Sequence, residues 1–168
     1  RRSSDLQQEG MHLVAGFMGC PCSLFALEEN GYLDIAYQLL QNDTFPSWGY
    51  SIKHGATTIW ERWNGWTHEN GFQDPAMNSF NHYAFGSVGE WMYRVVAGIN
   101  PDPVAPGYKH TIIHPRPGGG LQYARAEHDS MYGLVLSSWK IEQDRFDLTV
   151  RIPANASASV FLPVDTPE

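Results

Sequence analysis

The stretch WGYSIKHGATTIWERWNGWTHENGFQDPAMNSFNH, residues 48–82, decides how this chain of 168 residues is interpreted. It contains four of the six tryptophans, mixed with acids, amides and histidines and without a regular helical or strand period. Flat aromatic rings beside polar groups suit a saccharide, because its C–H faces lie on rings while its hydroxyls form hydrogen bonds. Carboxylates are also the groups that cleave glycosidic bonds. The stretch therefore favours a carbohydrate site.

A purely structural explanation of the same residues stays open. Trp60 and Trp63 are three residues apart, which places them on one face of a helix. Thr58 and Glu61 fit the Thr-x-x-Glu capping box of a helix N-terminus. This alternative predicts a short helix that begins near Thr57 or Thr58 and runs through Trp63.

The composition argues against two classes of partner. The chain has 18 acidic and 11 basic residues, a formal net charge of −7, whereas a nucleic-acid-binding protein requires a basic face. No lysine-rich cluster indicates an anionic membrane surface, and no apolar run approaches the length of a membrane span. No apolar segment follows Arg1 and Arg2, so we do not expect a signal peptide there. The chain also lacks an initiator Met, and we expect a piece of a longer protein, with cytoplasm and periplasm both open.

No cofactor or metal is expected. The glycine run at 118–120 lacks the Lys-Ser/Thr that follows a phosphate-binding loop. His110 and His114 have no acidic partner at metal-ligand spacing. Cys20 and Cys22 flank a proline, a spacing too short for an ordinary disulfide, and we predict free, buried thiols.

Two kinds of periodicity divide the chain. Apolar residues at three- and four-residue spacing predict helices over 11–27, over 32–40 and most strongly over 78–98. Pro21 is expected to kink or divide the first of them. The segments 46–55 and 64–77 have the composition of loops. Beyond the prolines of 100–106 the period changes to two, which predicts antiparallel strands and a hairpin at 143–145.

Two long motifs go further than periodicity. KHGATTIWERW (53–63) and PAMNSFNHYAFGSVGEWMYRVVAGI (75–99) closely resemble the end of the catalytic domain of bacterial α-L-rhamnosidases of glycoside hydrolase family 78. HLVAGFMG (12–19) and VRIPANASASVFLP (150–163) extend the resemblance over nearly the whole chain.

The resemblance implies an α+β multidomain fragment. Residues 1–100 are expected to be the last helices of an (α/α)6 catalytic barrel, and residues 101–168 a C-terminal antiparallel β-sandwich. A complete barrel needs more helices than this chain offers, and the family's upstream acidic motif has no counterpart in it. The general acid is therefore expected upstream, and the chain alone is expected to be inactive.

The resemblance also implies roles for particular residues. Glu61 matches the general base of an inverting enzyme that releases terminal α-L-rhamnose, and His82 matches the histidine that contacts rhamnose. Arg62 and His54 are candidate cations beside the Glu61 carboxylate. Further candidates for substrate binding are Trp48, Trp60, Trp63 and Asn78. Asn78 also fits the N-cap of the long helix.

The expected partners follow from these roles. They are a rhamnose-containing glycoside and the remainder of the enzyme chain. Apolar helix residues such as Phe80, Trp91 and Val95 are expected to stay partly uncovered, which favours association into oligomers. Two other functions stay open, a non-catalytic carbohydrate-binding fragment and a structural remnant of a barrel.

Overall fold

The structure is a computed structural model that describes residues 10–163. The chain divides into two compact units, Arg1–Gly89 and Glu90–Glu168. Within the described range, no helix has both the length and the apolarity to span a membrane.

In the described part of the first unit, the first two helices are α1 (Cys20–Glu29) and α2 (Leu33–Gln41), which pack against each other. The helix predicted from residue 11 starts only at α1, and Pro21 lies in its first turn. Proline is tolerated there because the first N–H groups of a helix have no intrahelical partner, so Pro21 neither kinks nor divides α1. The predicted second helix is confirmed, with Ala36, Tyr37 and Leu39 buried.

A third helix, α3 (Trp48–Lys53), lies where a loop was predicted. Ser47 is its N-cap and accepts a hydrogen bond from the Tyr50 N–H through Oγ, at 3.0 Å. This cap is the sequence signal that the loop prediction overlooked. The helix buries Trp48 and Ser51.

Residues 54–82 are irregular except for a short antiparallel hairpin of β1 (Trp66–Thr67) and β2 (Gly71–Phe72). The loop predicted for 64–77 is confirmed apart from this hairpin. The short helix predicted to run through Trp63 is absent, because this segment pairs with residues 79–82 instead. The capping-box explanation of Glu61 is therefore wrong.

The long helical segment starts at Tyr83, later than the predicted residue 78, and changes type along its length. A 3₁₀ helix (Tyr83–Ser87) leads into α4 (Val88–Trp91) and a π-helix (Met92–Val96). His82 is the N-cap, so the N-cap prediction for Asn78 is wrong. Trp91 and Val95 are 1% and 5% exposed, so these two residues are not the uncovered surface expected.

In its described residues, which end at 163, the second unit contains two sheets of three strands each. One has the order β3-β4-β8, with β3 (Ile99–Pro101), β4 (His110–Ile113) and β8 (Ser157–Val160). The other is a meander of β5 (Tyr123–Ser130), β6 (Gly133–Glu142) and β7 (Arg145–Arg151).

Pairing in these sheets is mostly antiparallel. The predicted hairpin at 143–145 is confirmed, since Glu142 pairs with Arg145 across the β6–β7 turn. The last strand departs from the prediction, because β8 runs parallel to β4. Period-two alternation is the same for both directions, and direction depends on the connection, here a crossover through β5, β6 and β7.

The core of the second unit draws side chains from both sheets, with Ile99, Ile113 and Val135 fully buried. Two polar side chains of β6 are buried as well. Ser137 Oγ donates to the Ala97 carbonyl at 2.6 Å, and Trp139 Nε1 donates to the Val96 carbonyl at 2.7 Å. These bonds satisfy carbonyls at the end of the helical segment, which have no intrahelical partner.

Both cysteines are free thiols, and they differ in exposure. Cys20 is buried and Cys22 is exposed, so the predicted burial holds for the first alone. Burial raises the pKa of the Cys20 thiol to about 11, because a thiolate is poorly solvated there.

Candidate active site

The candidate site is built on two segments of the first unit that lie side by side. The Ile59 carbonyl accepts from the His82 N–H at 2.9 Å, and the Glu61 N–H donates to the Ser79 carbonyl at 2.9 Å. The Thr58 hydroxyl donates to the carbonyl of Phe80. This pairing brings together two residues that the sequence singled out, Glu61 and His82, across a long loop.

The Glu61 carboxylate is fixed by a backbone donor. Its Oε2 accepts a hydrogen bond from the Ser79 N–H at 2.9 Å. Its other oxygen has no hydrogen-bond partner among residues 10–163 and is available to a water molecule or a ligand. Glu61 is half-buried. A partly exposed carboxylate with one oxygen fixed and one free is suited to accept a proton.

The two cations expected beside this carboxylate bind elsewhere. Arg62 donates through Nε to the Met77 carbonyl and through Nη2 to the Ala76 carbonyl, each at 2.9 Å. His54 Nδ1 accepts from the His68 N–H at 3.3 Å. In the described part of the first unit, the Glu61 carboxylate is therefore held by a backbone dipole rather than by an ion pair.

His82 is oriented by two neighbouring rings and by a backbone N–H. Its ring stacks on Phe17, with centroids 4.7 Å apart, and lies parallel to the Tyr83 ring at 5.9 Å. Its Nδ1 accepts from the Ala84 N–H at 3.4 Å. In the neutral imidazole this leaves the hydrogen on Nε2, which can then donate to a ligand hydroxyl.

A depression of about 520 Å³ opens beside His82. It is lined by Thr58, Ile59, Asn81, His82, Tyr83, Gly86 and Ser87. Ile59, which lines this depression and pairs with His82 through its carbonyl, lies two residues before Glu61 in the chain. Glu61 itself is not one of the lining residues.

A second depression, of about 310 Å³, surrounds Trp60. It is lined by His54, Gly55, Thr57, Thr58, Trp60, Trp66, Phe72 and Phe80. Trp60 lines this depression, whereas Glu61 lines neither of the two. Trp66, Phe72 and Phe80 were not predicted as site residues, and their place in the aromatic stretch was the only sequence signal for them.

The other two tryptophans belong to a packed aromatic cluster. Trp63 stacks on Phe85 with centroids 3.8 Å apart, and Trp48 lies edge-on to Trp63 at 5.3 Å. Trp48 Nε1 donates to the Phe85 carbonyl at 2.9 Å. Neither tryptophan lines the two depressions described, and both support the 3₁₀ helix that follows His82.

Asn78 holds the long loop closed. Its Nδ2 donates to the Gly65 carbonyl at 3.0 Å and to the Gln73 carbonyl at 3.4 Å. Its Oδ1 is buried without a hydrogen-bond partner. Since the amide hydrogens already bind carbonyls, a bond from Asn78 to a substrate hydroxyl stays a prediction.

In the described range, 10–163, no three or more His, Cys, Asp or Glu residues form a group that could hold a metal ion. Both ring nitrogens of His110 lie within hydrogen-bond distance of serine hydroxyls, Ser157 Oγ at 2.7 Å and Ser159 Oγ at 3.1 Å. This pair links β4 to β8.

Comparison with known proteins gives matches along the whole chain. The family model of the bacterial alpha-L-rhamnosidase six-hairpin glycosidase domain matches residues 1–96. The model of the bacterial alpha-L-rhamnosidase C-terminal domain matches residues 98–168. The observed helices of the first unit and the mainly antiparallel sheets of the second agree with this order.

Individual relatives are similar over the same range. An alpha-L-rhamnosidase of Streptomyces avermitilis is 48% identical over 97% of this chain, and one of Formosa agariphila is 46% identical over 94%. The crystal structure of the Streptomyces avermitilis enzyme complexed with L-rhamnose superposes with a TM-score of 0.91 at 47% identity, covering 97% of this chain and 16% of that one. The chain spans only 16–17% of the length of these curated relatives.

Proposed function

Because the chain belongs to the bacterial α-L-rhamnosidase family, we propose that it is the C-terminal part of an inverting α-L-rhamnosidase. The resemblance of its motifs to that family is confirmed by the matching family models. In this proposal residues 1–100 complete an (α/α)6 barrel, and residues 101–168 form a β-sandwich that follows it in the chain. The observation that carries the proposal is the backbone pairing that brings the segments of Glu61 and His82 side by side, with His82 lining a depression.

Glu61 acts as the general base in this proposal. A water molecule bound to its free oxygen loses a proton to the carboxylate as the water oxygen attacks the anomeric carbon of rhamnose. A carboxylic acid upstream of this chain protonates the leaving oxygen on the opposite face of the sugar. In inverting enzymes the two carboxyl groups are about 6.5–9.5 Å apart, which leaves room for the water. The chain alone supplies one of the two groups and is expected to be inactive.

Of the other residues, some are proposed to contact rhamnose and others to support the depression by packing. The Nε2 hydrogen of His82 donates to a rhamnose hydroxyl, and the apolar side chain of Ile59 lies in the same depression, where the methyl group of rhamnose needs an apolar wall. Trp48 and Trp63 support the depression through Phe85 rather than line it.

The proposal predicts the stereochemistry of the product. In a complete enzyme that carries this chain, hydrolysis of p-nitrophenyl α-L-rhamnoside is expected to release β-L-rhamnose first, because water attacks opposite to the leaving group. Proton NMR during the first minutes distinguishes the anomers before mutarotation. Release of α-L-rhamnose first would contradict the base role of Glu61, and absence of any turnover would contradict the proposed activity.

His82→Ala is expected to weaken rhamnose affinity about 5- to 150-fold, the equivalent of about 1–3 kcal/mol for an unpaired hydrogen-bonding group. Titration calorimetry with L-rhamnose measures the change. His82→Asn is the matched variant, because asparagine can still cap the 3₁₀ helix but does not reach as far as Nε2. If both variants bind rhamnose normally and only the alanine variant loses thermal stability, His82 is a capping residue alone.

A further inference from the structure

We propose that Arg62 is a positioning residue for the Glu61 carboxylate, acting through the turn that supplies the Ser79 N–H. The proposal rests on the proposed function, since it assigns a second residue to the same base. Arg62 follows Glu61 directly in the chain, and its side chain reaches the other segment of the pairing. It does so without touching the carboxylate.

The Arg62 guanidinium donates hydrogen bonds to two successive backbone carbonyls. Arg62 Nε donates to the Met77 carbonyl and Nη2 to the Ala76 carbonyl, each at 2.9 Å. A planar guanidinium presents its donors in a fixed fork, so the two bonds together define the orientation of this backbone turn. Lysine, with one ammonium group on a flexible stem, does not impose the same orientation.

The backbone turn at residues 74–77, which Arg62 binds, needs a restraint from outside the turn. Met77 has φ +54°, in the left-handed region that costs a residue with a side chain about 1–2 kcal/mol. The Asp74 carboxylate accepts from the Ala76 N–H at 2.8 Å and holds the start of the turn. Arg62 holds its end, where the backbone leads into Asn78 and Ser79.

Ser79 connects this turn to Glu61, the proposed base. Two residues after Met77, the Ser79 N–H donates to Glu61 Oε2 at 2.9 Å, and the Ser79 carbonyl accepts from the Glu61 N–H at 2.9 Å. Both the backbone and the carboxylate of Glu61 are therefore set by the position of Ser79. Asn78, between the turn and Ser79, is held from the other side by its bonds to the Gly65 and Gln73 carbonyls.

The role of Arg62 is consequently geometric. Its charge is directed at carbonyl oxygens, so removing it releases the turn rather than an ion pair with Glu61. A misplacement of about 1 Å in a catalytic group can cost about 100-fold in rate. Loss of the two Arg62 hydrogen bonds should therefore lower kcat, while the contacts between His82 and rhamnose remain in place.

The test uses a complete enzyme that carries this chain and p-nitrophenyl α-L-rhamnoside. Arg62→Met is expected to lower kcat about 10- to 100-fold with KM changed less than about threefold. Arg62→Lys should keep part of the rate, because one ammonium can still bind one carbonyl. Arg145→Met is the control, since Arg145 lies on exposed β7 and pairs with Asp147 at 2.5 Å. It should keep wild-type rates.

The double variant Arg62→Met/Glu61→Gln separates positioning from general damage. If Arg62 acts through Glu61, the double variant is no slower than Glu61→Gln alone, because there is no base left to position. A further loss in the double variant, or a rise in KM equal to the fall in kcat, would show a structural role and overturn the proposal.

Two outcomes keep this proposal distinct from the proposed function. If Glu61→Gln is inactive while Arg62→Met and Arg62→Lys keep the wild-type kcat, the positioning role is wrong and the base assignment stands. If Glu61→Gln stays active, the base assignment itself fails. Should Arg62→Met not fold by circular dichroism, Arg62→Lys decides, and a wild-type kcat in that variant would overturn the positioning role.

Discussion

Replacing Glu61 with glutamine is expected to lower kcat by about 10²- to 10⁴-fold in a complete enzyme that carries this chain, the usual contribution of a general base. Glutamine keeps the length and shape of the side chain. Its carbonyl oxygen can still accept the Ser79 N–H that binds Oε2 at 2.9 Å in the wild type. The amide cannot take a proton from water, so the barrier rises while the binding of rhamnose changes little. The measurements are kcat and KM on an aryl rhamnoside.

The control for this experiment is Glu69→Gln. Glu69 is exposed in the same long loop, it undergoes the same chemical change, and neither depression includes it. It should keep kcat close to wild type. If Glu61→Gln retains more than about a tenth of the wild-type kcat, Glu61 is not the base, because that ratio is far from the loss that a base produces. The search for the catalytic carboxylates would then turn to Glu69, Asp74 and Glu90.

The sequence predicted elements well where local residues decide the structure. The helix α2 follows from its own apolar spacing and from the Asn30-Gly31 stop before it, and Gly31 has φ +83° in the structure. The β6–β7 hairpin follows from strand alternation on both sides of a short polar turn. Both elements were predictable because the residues that specify them lie within or next to them in the chain.

Local patterns failed where a distant segment competes for the same backbone groups. Thr58 and Glu61 have the spacing of a capping box, yet Thr58 bonds to the Phe80 carbonyl and Glu61 bonds to Ser79. A helix over these residues would need the same N–H and C=O groups that pair with 79–82. The sequence pattern cannot show which partner is preferred, because the partner lies about twenty residues further along the chain.

The sequence motifs predicted which residues to examine in the candidate site, but not which side chains line its depressions. The resemblance pointed to Glu61 and His82, and the structure brings their segments together. The resemblance gave no means of separating tryptophans that pack from one that lines a depression, because an indole ring serves either purpose. That separation depends on contacts with distant residues, such as the stacking of Trp63 on Phe85. The role of Arg62 could not be predicted for the same reason. Its position next to Glu61 in the chain suggested a charge interaction, whereas its side chain forms hydrogen bonds with backbone carbonyls.

Gly98→Ala is expected to destabilise the second unit by about 2–5 kcal/mol. Gly98 has φ +81°, and an added Cβ would lie 2.2 Å from the Pro115 N atom and 2.5 Å from the His114 carbonyl carbon. These are backbone atoms, so no side-chain rotation relieves the overlap. The left-handed conformation adds about 1–2 kcal/mol to an overpacking cost of about 1–3 kcal/mol. Relief would require β3 to separate from β4, where Ile99 pairs with Ile113.

Gly120→Ala isolates the contribution of the overlap. Gly120 also has a positive φ, +72°, but an added Cβ there meets nothing within 4 Å. It should therefore lose only about 1–2 kcal/mol, the cost of the left-handed conformation. Urea unfolding followed by tryptophan fluorescence measures both variants, because Trp139 lies in the core of this unit. Equal losses in the two variants would mean that the His114-Pro115 backbone can move away from Gly98, and that the close approach of β3 and β4 does not limit stability.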